Sequence, residues 1–240
     1  MATHLVGDTV ALTGRTLRHV TRSPDTIITT AVTPVAIMLM FVYVFGGAID
    51  TGSDRYIDYM LPGVLLITVA SGISYTAFRL FEDVQGGILD RFRSMPIART
   101  GVLWAHVLTS LVANAVSLAV VVGVALLLGF RSDAGVLAWL GVVGVLVLFT
   151  LALTWLAVLP GLTATSVEGA GAFSYPLIFL PFLSSAFVPT ATMPGPVRWF
   201  AENQPVTAIV DTIRDTLAGR PAGASTGVAL AWCVGILVVA

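Results

Sequence analysis

Residues 81–99 read FEDVQGGILDRFRSMPIAR, the densest charged stretch in a chain that is otherwise mostly apolar. Runs without a single Asp, Glu, Lys or Arg flank it, 59–78 before and 100–130 after. A spanning helix needs roughly 20 apolar residues, because about 30 Å of hydrocarbon divides by about 1.5 Å of rise per residue. Both runs meet that length. The stretch between them therefore reads as an extramembrane segment joining two spans.

Working outward, the same test finds charge-free runs at 26–49, 59–78, 100–130, 134–167, 169–197 and 221–240. The 240 residues are 57% hydrophobic and 10% charged, with a mean hydropathy of +0.94. Soluble domains carry about 25% charged residues, so a soluble globular fold is excluded. The expectation is an all-α membrane protein with six transmembrane helices. A single domain over residues 1–240 is the simplest organisation, since no internal repeat or linker is evident. The first 26 residues lack the apolar core of a cleavable leader. The chain is expected to enter the membrane through its own spans.

The fifth run leads into a broken, semi-polar region holding Pro181, Pro189, Pro194, Pro196 and Pro205. It is too apolar for a free loop and too interrupted for a span. A re-entrant region over 189–220 is expected, ending in a short helix over 205–218 with Val206, Ile209, Ile213 and Leu217 on one face.

All twelve basic residues are Arg. Arg15, Arg18 and Arg22 precede the first span, and Arg79, Arg91, Arg93 and Arg99 lie between spans 2 and 3. The loop after span 1 carries Asp50, Asp54 and Asp58 against Arg55. Basic residues accumulate on the cytoplasmic side, which places both termini and residues 79–101 in the cytoplasm. The net charge of −1 offers no footprint for nucleic acid.

Within 1–25, Arg15, Arg18, His19 and Arg22 recur at helical spacing opposite Val6, Val10, Leu17 and Val20. A basic amphipathic helix of this kind suits the inner leaflet, its arginines among lipid phosphates. In the opening stretch, Ile88, Leu89 and Phe92 line one side of a two-turn helix. Glu82, Asp83, Asp90, Arg91 and Arg93 stay polar. Gly86 and Gly87 permit a sharp turn before it, and Met95-Pro96 closes it. Such a helix suits docking into another protein's groove. The residues equally fit a solvated loop whose arginines only enforce topology.

Several chemistries are excluded. A P-loop requires Lys, and the chain has none. There is no HExxH, no Cys pair and no Cys/His cluster, so neither a metal site nor a cofactor site is expected on this chain. Cys233 reads as a small buried hydrophobe, and His106 as a packing residue or a hydrogen-bonding partner for a neighbouring helix. The charge-free runs hold no Asp or Glu for ion coupling. An intramembrane enzyme would need polar residues clustered near one interface, and none is found. Energy must then come from outside, unless the chain is a membrane scaffold that moves nothing.

EDVQGGILDRFRSMPIAR, LPFLSSAFVPTATMP and WFAENQPVTAIVDTIRDTLAG, in that order behind an amphipathic N-terminal helix, resemble the type-2 permeases of ABC exporters. The daunorubicin-resistance-like drug and lipid exporters are the nearest group. The resemblance covers nearly the whole chain. It implies a pair of permeases, identical or mixed, and separate ABC ATPase subunits that hold ATP and Mg. It implies that residues 82–95 form a coupling helix, with Glu82, Asp83, Ile88, Asp90, Arg91, Phe92 and Arg93 at the ATPase dock. Arg15, Arg18 and Arg22 would hold the interfacial elbow. Pro189, Pro194, Asn203 and Pro205 would shape an outer gate. Phe41, Tyr43, Tyr75, Phe78, Asn114, Phe173 and Tyr175 are candidate substrate-path residues, with helix packing or lipid contact as the alternative for each. The polar groups of the spans are mostly Ser, Thr and one Asn, which suits a hydrophobic or amphiphilic drug or lipid. A polysaccharide or glycolipid cargo is the alternative. The implied location is a bacterial inner membrane.

Overall fold

The computed structural model describes residues 24–49, 55–87, 99–221 and 223–240, and among these it is helical without strands. The helices are α1 (Pro24–Met40), α2 (Tyr56–Gln85), α3 (Arg99–Leu127), α4 (Val136–Thr163), α5 (Val167–Ala172), α6 (Ser174–Phe179), α7 (Gly195–Asn203), α8 (Pro205–Leu217) and α9 (Ala224–Val239). A π-helical turn at Phe41–Phe45 extends α1, and a 3-10 turn at Leu180–Leu183 extends α6.

α2, α3 and α4 are long and apolar enough to cross a membrane; Ala31–Phe45, Val167–Leu183 and Ala224–Val239 are shorter apolar helical stretches. Hydrocarbon leaves no partner for an open backbone group, so a helix that satisfies its own groups is the stable solution for each run.

α2 is the axis of the molecule. From Met60 to Ala70 every residue is buried, and α1, α3, α4, α5, α6 and α8 all pack against it. α9 lies on the far side of α4 and α8. Lipid tails are as apolar as Leu, so association rests on close van der Waals fit rather than on expulsion of water. Small residues permit that fit. A Cβ on Gly63 would lie 2.5 Å from the Ala186 Cβ, and one on Gly72 would lie 2.3 Å from the Asn114 Oδ1.

The structure corrects two expectations about boundaries. α2 does not stop at the charged residues after Phe78; it continues through Arg79, Glu82 and Asp83 to Gln85. Charges at a helix end can reach past the hydrocarbon and do not break backbone bonding. The break comes at Gly87, whose φ of +67° costs an L side chain but not glycine. Residues 79–85 thus continue α2 as one unbroken helix. The fifth charge-free run, 169–197, is also not one helix. It divides at Phe173 and ends at Leu183. Pro176 cannot bond back to residue 172 and crowds its carbonyl, so a new helix begins at Ser174. Its hydroxyl donates to the Gly171 carbonyl at 2.6 Å.

Candidate functional site

The two ends of the bundle are built differently, and a polar seam joins them. At the end marked by Gly87, α2 and α3 are linked by Asp83 and His106. The imidazole Nε2 lies 3.0 Å from the carboxylate Oδ2. His106 is buried and Asp83 half-buried, whereas neighbouring Glu82 is exposed. Trp104 of α3 meets Trp155 of α4 edge-on, with centroids 5.2 Å apart. The Arg79 guanidinium sits 5.6 Å from the centre of the Tyr75 ring, which in turn lies 6.1 Å from Phe78.

Deeper in, the seam is made of hydroxyls and one amide. The Thr76 hydroxyl donates to Ser110 Oγ at 2.8 Å, and Ser110 Oγ lies 3.4 Å from Thr154 Oγ1. Asn114 Nδ2 donates to the Ser110 carbonyl at 3.0 Å. Asn114 Oδ1 is buried and finds no hydrogen-bond partner among the described residues. Ser110, Asn114 and Ser117 recur at i, i+4 and i+7, so α3 turns one polar stripe inward. Among the described residues no charged side chain lies on this seam.

The opposite end is a dense knot around Arg214. This cation on α8 pairs with Asp211 Oδ1 at 2.6 Å. It donates to the carbonyls of Tyr59 at 3.1 Å and Ser185 at 2.7 Å, and stacks 3.8 Å from the Tyr59 ring centre. Ser185 Oγ donates to the same Asp211 oxygen at 2.7 Å, and Tyr56 donates to the Phe187 carbonyl at 2.8 Å. Arg55 pairs with Asp58 at 2.9 Å and donates to the Gly129 carbonyl. Ser132 closes on the Leu217 carbonyl at 2.8 Å. Beside the knot, Phe41, Phe182 and Phe187 form an aromatic cluster, Phe41 stacking on Phe187 at 4.5 Å.

The prolines named from the sequence stand at joints. Pro189 precedes the short Thr190–Thr192 turn, Pro194 caps α7, and Pro205 is the first residue of α8, where its missing N–H costs nothing. Asn203 ends α7 and donates to the Trp199 carbonyl at 2.7 Å. Gln204 bridges the two helices and donates to the Leu183 carbonyl at 2.6 Å. On α7, Arg198 hydrogen-bonds Glu202 at 2.7 Å and holds its carboxyl below the ordinary value.

The candidate substrate-path residues do not form one group. Tyr75 and Phe78 adjoin each other near the Gly87 end, Asn114 sits in the seam, and Phe41 lies in the aromatic cluster. Phe173 is half-buried at the joint between α5 and α6, while Tyr43 and Tyr175 are exposed on the outer surface of the bundle. Arg15, Arg18, Arg22, Ile88, Asp90, Arg91, Phe92 and Arg93 lie outside the described residues. Sequence reasoning missed Arg214. Its spacing of three from Asp211 on an amphipathic helix was the available signal. It also missed the stripe around Ser110, which was legible as three polar residues on one face of an apolar run.

Comparison with known proteins places this arrangement. The ABC-2 type transporter family model matches residues 8–218. The chain is 31% identical over 235 residues to the daunorubicin resistance ABC transporter permease protein DrrB1 of Streptomyces coeruleorubidus, covering 93% of this chain and 82% of that one. It is 27% identical over 236 residues to the probable doxorubicin resistance ABC transporter permease protein DrrC of Mycobacterium tuberculosis, covering 98% and 85%. A multi-pass helical bundle without a nucleotide-binding lysine, matched along almost its whole length, belongs to the ABC-2 type transporter family, as a membrane permease of an ABC exporter.

Proposed function

We propose that this chain exports a hydrophobic or amphiphilic drug or lipid from the cytoplasm or inner leaflet, driven by a separately encoded ABC ATPase that holds ATP and Mg. The likeness to a daunorubicin-resistance permease over 93% of the chain carries this reading. The uncharged seam of Thr76, Ser110, Asn114 and Thr154 supports an apolar cargo, because a polyanionic glycan would find no counter-charge there.

The chain crosses a bacterial inner membrane six times with both termini cytoplasmic. Ala31–Phe45, Val167–Leu183 and Ala224–Val239 provide the passes beyond α2, α3 and α4. The Gly87 end faces the cytoplasm, consistent with Arg79, Arg91, Arg93 and Arg99 on that side. Two permease copies, or this chain and a sister, enclose the path. Residues 82–95 dock in the ATPase, with Asp90, Arg91, Phe92 and Arg93 as contacts, and residues 1–25 lie on the inner leaflet. Residues 189–220 form a re-entrant outer gate.

The test is co-expression of this chain with the genes that neighbour it, purification, and reconstitution into proteoliposomes with daunorubicin as the probe. Stoichiometric co-purification and ATP-dependent probe movement are expected, the latter abolished by a non-hydrolysable ATP analogue. Absence of an associated ATPase, or nucleotide hydrolysis by the isolated chain, would overturn the proposal.

A further inference from the structure

We propose that Asp83 and His106 are positioning residues: they clasp α2 to α3 so that both helices answer as one lever when the segment between them is displaced. This rests on the docking of residues 82–95 proposed above.

α2 runs without interruption from Tyr56 to Gln85, so its last turn is mechanically continuous with the core. Asp83 stands in that turn, just before the corner at Gly87. His106 stands two turns into α3, the helix to which the chain returns. The pair therefore sits at the root of the connecting segment, on both of its arms. The next polar link between the same helices, Thr76 to Ser110 at 2.8 Å, lies about two turns deeper along α2.

Burial makes this contact selective. His106 is 8% exposed, and a hydrogen bond to a carboxylate strengthens as water is excluded. Apolar contacts between the helices cannot do the same work, since lipid tails substitute for them. Without the clasp, a push on the segment can splay α2 from α3 at this end before the seam feels it. With it, the displacement reaches Ser110 and through Ser110 reaches Thr154 on α4. The geometry also separates two neighbouring carboxylates. Asp83 is committed inward to His106, and exposed Glu82 is the acidic group left to face a partner.

The experiment compares His106→Ala and Asp83→Ala with wild type in the reconstituted permease–ATPase complex. Three quantities are measured: ATPase retained on purification, ATP hydrolysed, and daunorubicin moved per ATP. His106→Ala, outside the docking segment, should retain the ATPase and hydrolyse ATP while moving about fivefold less probe per ATP, or lower still, and Asp83→Ala should move at least as little. The exchange Asp83→His with His106→Asp should recover most of that loss. A second arm places cysteines at both positions in a Cys233→Ala background and bridges them with a short, reducible bifunctional thiol reagent. Probe per ATP should be high when bridged and fall on reduction of the same sample.

Unchanged probe per ATP in the single variants, or no response to bridging, overturns the clasp. Loss of the bound ATPase in His106→Ala, a residue outside the docking segment, also overturns it. A wild-type complex that binds no ATPase or moves no probe overturns the exporter reading itself, and the clasp with it.

Discussion

The Ser185 end and the Gly87 end of the bundle are held by opposite means. At the Ser185 end, Arg214 alone engages a carboxylate, two backbone carbonyls from separate segments and an aromatic face. Three parts of the chain far apart in sequence meet on that one guanidinium. At the Gly87 end, among the described residues, α2 meets α3 through one imidazole on one carboxylate, and α3 meets α4 through a pair of tryptophans. A planar, multi-donor cation fixes geometry in several directions at once, whereas a single pair fixes one distance and leaves rotation free. The lesson is that one end is fixed in several directions at once and the other along a single contact.

The sharpest way to break this contrast is Arg214→Ala. It strips two carbonyls and the half-exposed Asp211 carboxylate of this donor, and should cost about 3 kcal/mol. Thermal unfolding of the detergent-purified protein would show it. Hydrogen exchange around Ser185 and in α8 should then rise toward that of residues 82–87. Arg214→Lys should recover only part of the loss, because an ammonium cannot reproduce the fork. A variant as stable as wild type would remove the distinction between the ends.

The seam between the ends offers a smaller effect. Gly72→Ala forces a methyl toward Asn114 Oδ1 and should cost about 1–3 kcal/mol, as overpacking does. Adding Asn114→Ala should return at least half of it, because the obstructing amide is gone. Failure of that rescue in the same unfolding assay would mean that the contact is not the source of strain. Thr76→Val should cost about 0.6 kcal/mol, the average measured for interhelical hydrogen bonds in membranes.

The smallest effect belongs to α7. Glu202 is held below its ordinary carboxyl value by the Arg198 hydrogen bond. That link favours the folded state at pH above the ordinary value and fades as pH falls through the lowered one. Wild type and Glu202→Gln should therefore differ slightly at neutral pH and converge in acid, once the pH has fallen through the lowered value. The pair is exposed, so salt should erase the difference. A difference that grows in acid would contradict the assignment.

Much of this was legible in sequence. Runs at 59–78, 100–130 and 134–167 announced α2, α3 and α4 because charge is excluded from hydrocarbon wherever it falls along the chain. The face formed by Val206, Ile209, Ile213 and Leu217 was readable because helical periodicity repeats locally, and all four are buried in α8. The boundary at Gln85 was not, since charge density marks the end of the hydrocarbon and backbone geometry marks the end of the helix. Nor was the division at Phe173 foreseen, because composition alone treats 169–197 as one apolar run.

Composition and order along the chain were sufficient for the class of protein: a charge-poor helical bundle with no lysine to hold phosphate. Those are properties of each residue or of near neighbours, and a linear reading captures them. Which side chains meet was decided by folding. Arg214 and Tyr59 are 155 positions apart, and Thr76 and Ser110 are 34 apart. No local rule pairs such residues. Their partnership follows from how closely helices can approach at Gly63 and Gly72, a property of the packed bundle.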